Sequence, residues 1–222
     1  MPGECESGQP DCHDRSGTSC CDQNDLISIS AHKIHGPKGI GALYVKNNTQ
    51  LFSLNLGGGQ ERGLRSGTES TPLIAGFGEA ARINFSNMNH DIPHMTKLRD
   101  YSLEAFKYQI PQAVLNSTKQ GAPHIVNASL PGLSNKKVVE FLDSKGIYIS
   151  SAAACKGNHS RGPSVLQSFG LTRALADSAI RISFSCQNTK SDVDALINAL
   201  VECCKDKSLT SGSSSKEQAK KP

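Results

Sequence analysis

Residues 28–45, SISAHKIHGPKGIGALYV, place one amine between two imidazoles. Lys33 lies between His32 and His35, and a turn of glycines and a proline follows. A lysine that forms a Schiff base has to be held in place and has to spend time as the neutral amine. The hydroxyl of Ser30 and the imidazole of His32 could bind a phosphate ester, and glycines let backbone approach a ligand closely. The stretch fits neither GxGxxG nor GxxxxGK[ST], and an ordinary exposed lysine is the alternative interpretation.

Two further segments carry groups that suit catalysis. Residues 56–70, LGGGQERGLRSGTES, combine backbone N–H groups, two arginines and the Thr68 hydroxyl. Such a segment could cradle a phosphate or could be a solvated loop. Cys155 follows three alanines and precedes a lysine, a histidine and an arginine within six residues. Because nearby cations favour the thiolate, Cys155 is a candidate nucleophile, and the glycines after it suggest a mobile arm.

The composition limits the alternatives. The 222 residues suffice for one or two domains, and the net charge of +4 is too small and scattered to indicate nucleic-acid binding. No apolar run reaches the roughly 18 residues of a membrane helix, and the N-terminus lacks an apolar signal segment. The eight cysteines form no CxxC pair, so we expect free thiols in a reducing, cytoplasmic compartment. A zinc site built from Cys12, His13, Cys20 and Cys21 is a weaker alternative, and no metal is expected.

Hydrophobic periodicity predicts an α/β chain. The predicted strands cover residues 26–30, 40–45, 124–130, 147–150 and 181–185. The predicted helices begin at Thr71, at about His94 after Pro93, at Ser134, and after the capping box of Thr189 and Asp192. We interpret residues 1–24 as a disordered polar leader and residues 207–222 as a flexible tail.

Four segments together resemble the class V aminotransferase type of pyridoxal-phosphate enzyme, and in particular the selenocysteine lyase and cysteine desulfurase family. SAHKIHGPKGIGALYV resembles the cofactor-lysine segment, GGGQERGLRSGTEST the glycine-rich segment, SSAAACKGNHSRGPSVLQSFGL the catalytic-cysteine loop and SAIRISFS the substrate-arginine strand. The resemblance covers about residues 25–205. It implies fold type I, with residues 25–87 as the remnant of the cofactor-binding large domain and residues 88–206 as the small α/β domain.

The resemblance also implies how the cofactor is bound. Lys33 would form the Schiff base with pyridoxal 5'-phosphate, and Ser30 and His32 would bind its phosphate. Because these enzymes are homodimers with shared sites, Thr68 would reach the phosphate of the cofactor in the partner subunit.

The substrate chemistry follows from the same resemblance. Arg181 would hold the α-carboxylate of cysteine or selenocysteine, a task that suits the bidentate guanidinium. Cys155 would attack the sulfur or selenium, leaving alanine with a persulfide or with selenide, and an acceptor protein could take up the product. The segments TESTPLIAG, HMTKLRDY and AACKGNHSRGPSVLQSFG resemble the selenocysteine lyase branch more than the housekeeping desulfurases.

Chains of this family are nearly twice as long, and most of their large domain precedes the cofactor lysine. The corresponding part carries the aspartate that pairs with the pyridine nitrogen, the histidine stacked on the ring and a further phosphate-binding loop. We therefore expect a fragment or truncated form of such an enzyme. The alternative is a non-catalytic chain that acts as a binding or dimerisation module.

Overall fold

The computed structural model of the chain describes residues 24–151 and 165–210. The predicted leader, apart from Asn24, and the loop that carries Cys155 lie outside these residues. Contacts within the chain define two compact units, which meet in the sequence between Asn87 and Met88.

The first unit is built on an antiparallel hairpin. Strand β1, Leu26–Ser30, pairs with strand β2, Gly41–Val45, and Ser30 lies opposite Gly41. A Cβ at Gly41 would lie 2.6 Å from the Ile29 carbonyl oxygen, so the close pairing at this end of the hairpin requires glycine. Both predicted strands are present.

Few side chains of this unit are shielded from water. Among its described residues, the only buried hydrophobic side chains are those of Ala31 and Ala80. Phe52, Leu54 and Leu56, which follow β2, are 89%, 94% and 87% exposed. An open groove of about 710 Å³, lined mainly by apolar side chains, lies beside β2. Exposed apolar surface of this kind favours association with another protein surface.

Helix α1 covers Thr71–Gln109 and contains Pro93. The prediction of a separate helix that starts at about His94 is therefore wrong. Proline removes the N–H that the carbonyl of Asn89 would otherwise accept. Asn89 is exposed, so water can replace that donor and the helix can pass through the proline. No helix among the described residues is both long and apolar enough to cross a membrane.

The second unit contains an antiparallel sheet of four strands in the order β3-β4-β6-β5. Its strands are β3 Val114–Leu115, β4 Ile125–Ser129, β5 Ser150–Ser151 and β6 Ala179–Ser183. The helices that follow α1 in the described residues are α2 Asn135–Ser144, α3 Val165–Ser168, α4 Arg173–Asp177 and α5 Lys190–Lys205. This mixture of strands and helices confirms the predicted α/β class.

One face of this sheet contributes to the hydrophobic core. Val126, Ala128, Ile180 and Ile182 alternate with other residues along β4 and β6 and are at most 3% exposed. They form one apolar cluster with side chains from α1, α2 and α5, which include Phe106, Val138, Leu142, Val193 and Leu200. Full burial contributes roughly 1.5–3 kcal/mol for each large apolar side chain. Because side chains alternate along a strand, the intervening residues of β4 and β6 point to the other face of the sheet.

Two strands are displaced from their predicted positions. The predicted strand at 147–150 is reduced to Ser150–Ser151, because the Ile147 N–H donates to the Leu142 carbonyl in the turn after α2. The predicted strand at 181–185 lies two residues earlier, because pairing with β4 begins at Ala179. The turn after α2 accounts for the first difference, and the pairing of β4 with β6, which are distant in the sequence, accounts for the second.

The predicted flexible tail is structured at its start. Residues Lys207–Leu209 form a 3-10 turn, and Leu209 is 8% exposed within the apolar cluster. The Leu209 carbonyl accepts the N–H of Ser134, the residue before α2, at 3.0 Å. The interpretation of residues 207–210 as flexible is therefore wrong, because a single leucine in a polar segment reaches the core. The rest of the predicted tail lies outside the described residues.

Helix α5 begins with the predicted capping box. The Thr189 Oγ1 atom accepts the Asp192 N–H at 3.4 Å, and Asp192 Oδ2 accepts the Thr189 N–H at 2.8 Å. We expect Thr189→Ala to lower the free energy of unfolding by about 1 kcal/mol, because the N-cap hydroxyl satisfies an otherwise unpaired helix donor. Urea denaturation followed by circular dichroism measures this loss. The exposed neighbour Ser191 provides the control, and an equal loss in Ser191→Ala would contradict the capping role.

The same capping box depends on pH. The hydrogen bond from the Thr189 N–H lowers the pKa of the Asp192 carboxyl below its ordinary value. A carboxyl with a depressed folded-state pKa stabilises the fold above its unfolded-state pKa and loses that contribution as the pH falls through the folded value. The carboxylate part of this cap is therefore present at neutral pH and lost in acid.

Candidate active site

The end of strand β1 presents an exposed lysine on a tight turn. Residues Ala31–Ile34 form a 3-10 turn in which Ala31 is buried, whereas His32 and Lys33 are exposed. Ser30 precedes the turn with extended backbone and is also exposed. Within residues 24–151 and 165–210, the Lys33 amine has no hydrogen-bond or ion-pair partner. The end of β1 and the turn together therefore offer a hydroxyl, an imidazole and an amine from neighbouring residues.

Hydrogen bonds hold the backbone of this turn in place. The Ala31 N–H donates to the Ile40 carbonyl at 3.1 Å, and the Gly36 N–H donates to the Ala31 carbonyl at 2.9 Å. From helix α1, Asn84 Nδ2 donates to the Ile34 carbonyl at 2.9 Å. The main chain beneath the lysine is thus tied both to the hairpin and to the helix.

Glycines allow α1 to pack directly on the lysine turn. A Cβ at Gly36 would lie 3.1 Å from the Cβ of Ala31 and 3.2 Å from the Cβ of Ala80 on the helix. A Cβ at Gly76 would lie 3.2 Å from Cγ of Pro37. Both contacts are tighter than side chains normally tolerate, so Gly36 and Gly76 serve the packing of the turn.

Thr68 is exposed, and it lies in a loop whose residues form hydrogen bonds with one another. The side-chain oxygen of Gln60 accepts the Gly67 N–H at 3.2 Å. The Ser66 hydroxyl donates to the Asn55 carbonyl at 2.9 Å. These bonds hold the segment just before Thr68, so its hydroxyl is carried on a defined loop and not on a free chain.

The same loop contains two consecutive strained residues. Glu61 and Arg62 have φ values of 50° and 58°, in the left-handed region that non-glycine residues rarely adopt. Such strain costs of order 1–3 kcal/mol per residue and is concentrated at ligand-binding sites. The strain therefore supports the interpretation of this loop as part of a binding site over that of an ordinary solvated loop.

Arg181 lies on the polar face of the sheet in the second unit. It stands between Ile180 and Ile182, whose side chains are buried in the core, so its own side chain leaves the sheet on the opposite face. The Nε atom of Arg181 is buried and has no hydrogen-bond partner in the described part of the chain. An unpaired buried donor is costly, and a carboxylate is a strong acceptor for guanidinium N–H groups. Arg181 is therefore suited to an anionic ligand.

The predicted site residues are distributed over both units. Ser30 ends β1, His32 and Lys33 lie in the turn that follows, and Thr68 lies in the same unit before α1. Arg181 belongs to the second unit, and Cys155 lies outside the residues that the structure describes. Sequence reasoning missed two asparagines next to these residues: Asn84, which binds the lysine turn, and Asn127, which lies opposite Arg181 in the sheet. An asparagine with apolar residues on both sides, within a predicted helix or strand, is the signal that could have identified both.

The cysteines of the described residues differ in their surroundings. Cys203 is fully buried in α5, and this burial, with Cys204 and Glu202 beside it, raises the pKa of the Cys203 thiol to about 11. Burial also raises the pKa of Cys204, whereas Cys186 is exposed. Cys203 and Cys204 are therefore thiols at neutral pH and suit packing better than nucleophilic attack. The described residues contain no cluster of three side chains that could hold a metal ion.

Comparison with known proteins identifies the class to which this fold and these segments belong. The family model for aminotransferase class V matches residues 21–196, which include the lysine turn, the glycine-rich loop and β6. The chain belongs to the class V aminotransferase family, as the four segments predict.

The relatives with similar sequences include cysteine desulfurases. The cysteine desulfurase IscS of Clostridium botulinum (strain Hall) is 37% identical over 184 residues, which are 82% of this chain and 46% of the relative. The IscS of Rickettsia massiliae is 42% identical over 179 residues, 79% of this chain and 43% of the relative. The solved NifS-like protein from Rickettsia africae has a TM-score of 0.72 and 32% identity, covering 82% of this chain and 48% of that protein. The solved relatives confirm fold type I, and the chain spans about half the length of the relatives it matches.

Class V aminotransferases and cysteine desulfurases depend on pyridoxal phosphate. The lysine turn fits this group in two respects. The Lys33 amine is exposed and, among the described residues, not engaged by an acid, so it is available to a carbonyl group. The exposed Ser30 and His32 next to it supply donors that suit a phosphate ester. The residues present therefore fit the lysine-binding and phosphate-binding sides of the cofactor.

Proposed function

We propose that this chain is the lysine-, cysteine- and arginine-bearing part of an enzyme that removes sulfur or selenium from L-cysteine or L-selenocysteine and leaves L-alanine. The observation that carries the proposal is the exposed Lys33 amine on an immobilised turn, with a hydroxyl and an imidazole beside it. The class V family and the relatives named as cysteine desulfurases support the same activity.

Four residues of the first unit would hold pyridoxal phosphate. Lys33 would bind the carbonyl carbon, Ser30 and His32 would donate to the phosphate, and Thr68 would donate to the phosphate of the cofactor in the partner subunit of a homodimer. When bound, the cofactor withdraws electrons from the α-carbon of an attached amino acid. The hydrogen-bonded backbone of the lysine turn would fix the main-chain positions from which these side chains reach the cofactor.

Two residues of the second half act on the substrate. The Arg181 guanidinium binds the α-carboxylate and thereby orients the amino acid. The Cys155 thiolate attacks the substrate sulfur, the carbon–sulfur bond breaks, and the sulfur remains on Cys155 as a persulfide. One cysteine and one enzyme thiol thus give one alanine and one enzyme persulfide, a balance that needs no external oxidant or reductant.

Cysteine is the substrate that the relatives support, because their names are those of cysteine desulfurases. Selenocysteine is the second candidate, favoured by the similarity of TESTPLIAG and of the cysteine loop to the selenocysteine lyase branch. The proposal includes a homodimer in the cytoplasm and a protein that accepts the sulfur or selenium.

A non-catalytic role is the competing proposal. Phe52, Leu54 and Leu56 are almost fully exposed in the first unit, and such side chains suit contact with a second protein surface. The chain would then act as a binding or dimerisation module without turnover.

One experiment separates these proposals. The 222-residue chain is incubated with pyridoxal phosphate and a thiol reductant, and alanine formation from L-cysteine and from L-selenocysteine is compared under the same conditions. Alanine from either substrate supports the enzyme, and the ratio of the two kcat/KM values assigns the branch. Binding of the cofactor without alanine from either substrate would favour the binding module.

A further inference from the structure

A row of polar side chains crosses the sheet of the second unit. Asn127 on β4 and Ser150 on β5 each lie opposite Arg181 on β6. On the other side of β4, Asn116 follows β3, and its N–H donates to the Asn127 carbonyl at 2.9 Å. Directly opposite residues of an antiparallel pair point to the same face, with Cβ atoms about 4.5–5.5 Å apart. Asn127 is therefore the immediate neighbour of Arg181 on the polar face.

The side-chain amide of Asn127 is held in one orientation. Its Oδ1 atom accepts from Asn116 Nδ2 at 2.7 Å, and the same Asn116 Nδ2 donates to the hydroxyl of the buried Ser129 at 2.9 Å. The Asn127 backbone N–H donates to the Ser117 hydroxyl at 2.8 Å. Because Oδ1 faces Asn116 on the β3 side, Nδ2 faces away from β3, where β6 is the next strand.

Among the described residues, two donors on neighbouring strands thus have no protein acceptor. Within the described residues, Arg181 Nε is buried without a partner, and Asn127 Nδ2 donates to no atom. A carboxylate has two oxygens and accepts several hydrogen bonds, so one such group can satisfy both donors. A neutral amide next to a guanidinium also avoids the repulsion that a second cation would cause.

We propose that Asn127 is a second substrate-binding residue, whose Nδ2 donates to the α-carboxylate that Arg181 binds. The proposal rests on the proposed function, since it takes an amino-acid substrate and assigns Arg181 to its carboxylate. Asn127 and Arg181 together select a free carboxylate over an amide or an ester, because only the carboxylate offers two negatively charged, strong acceptor oxygens to the two donors.

The test measures binding of L-alanine, the product of the proposed reaction, to the full 222-residue chain by nuclear magnetic resonance. Dissociation constants come from the backbone amide signals of β4 and β6, and L-alaninamide is the ligand without a carboxylate. The principal variant is Asn127→Asp, because it keeps the shape of the side chain and the oxygen that accepts from Asn116. We expect this variant and Arg181→Gln to lose alanine binding. Asn127→Ala should weaken binding at least about tenfold, the usual effect of losing a hydrogen bond to a charged group.

Ser183→Ala is the matched control, because Ser183 lies on the same face of β6, two residues from Arg181. It should bind alanine like the wild type. Unchanged alanine binding in both Asn127 variants, with loss in Arg181→Gln, would overturn the inference while leaving the role of Arg181 intact. No carboxylate-dependent binding by the wild type would overturn both. An absent cofactor band together with intact alanine binding would refute the cofactor part of the proposed function and leave this inference standing.

Discussion

Replacing Lys33 with alanine should abolish the visible absorbance band that pyridoxal phosphate gives when it binds the chain. The band requires a covalent bond between the cofactor aldehyde and an amine. The lysine turn is held to Ile40 and to Asn84 of α1 through its backbone, so removing the side chain leaves the turn itself in place. We therefore expect complete loss of the band without loss of helicity. Absorbance titration with the cofactor and circular dichroism measure the two quantities.

Lys38 provides the matched control for this variant. It lies five residues later in the same glycine-proline turn and is also exposed. Lys38→Ala should bind the cofactor like the wild type. A band that persists in Lys33→Ala, or that disappears equally in Lys38→Ala, would contradict the assignment of Lys33. A wild-type chain without any band would contradict cofactor binding by this chain.

Replacing Cys155 with alanine should stop alanine formation from L-cysteine while the cofactor band remains. The thiolate of Cys155 is the acceptor of the substrate sulfur in the proposed reaction, and the two cysteines of α5 are not suited to replace it. Cys203 is buried with a thiol pKa of about 11, so its nucleophilic form is scarce at neutral pH. We expect the rate to fall to the level without enzyme, measured as alanine and sulfide under turnover conditions.

Cys186 is the control for the loss of an exposed thiol. Cys186→Ala should retain the wild-type rate, and retained sulfide release by Cys155→Ala would refute the nucleophile assignment. Selenocysteine turnover should be less sensitive to Cys155→Ala than cysteine turnover, because a selenolate is a better leaving group than a thiolate. Comparing both substrates in Cys155→Ala therefore also tests whether attack by Cys155 has to precede the breaking of the bond from carbon to sulfur or selenium.

Features that depend on neighbouring residues could be predicted well. The hairpin of β1 and β2 and the capping box of Thr189 and Asp192 both appear in the structure. The alternation of side chains along a strand and the capping of a helix each involve only a few neighbouring residues. Nearly all of the information that determines them is therefore present in the local sequence. The family was also predictable, because four motifs in one order and at compatible spacing are more specific than any one of them.

Features that depend on distant residues could not be predicted in this way. Pro93 lies inside α1, and Asn89, whose carbonyl loses its donor, is an exposed residue where water can take the place of that donor. Leu209 is packed against the core although its neighbours in the sequence are polar. The first outcome depends on solvent exposure and the second on the space available in the core, and local sequence patterns encode neither.

The sequence by itself determined the candidate chemistry: an amine in the lysine segment, a thiol in the cysteine loop and a guanidinium in the final strand. Only the tertiary structure decided which groups surround the amine and the guanidinium. Asn84 binds the lysine turn from a helix 50 residues away in the sequence, and Asn127 lies opposite Arg181 because β4 and β6 pair in one register. Strand register and helix packing arise from contacts between segments that are far apart in the chain, so the partners of a catalytic group become visible only once the chain has folded.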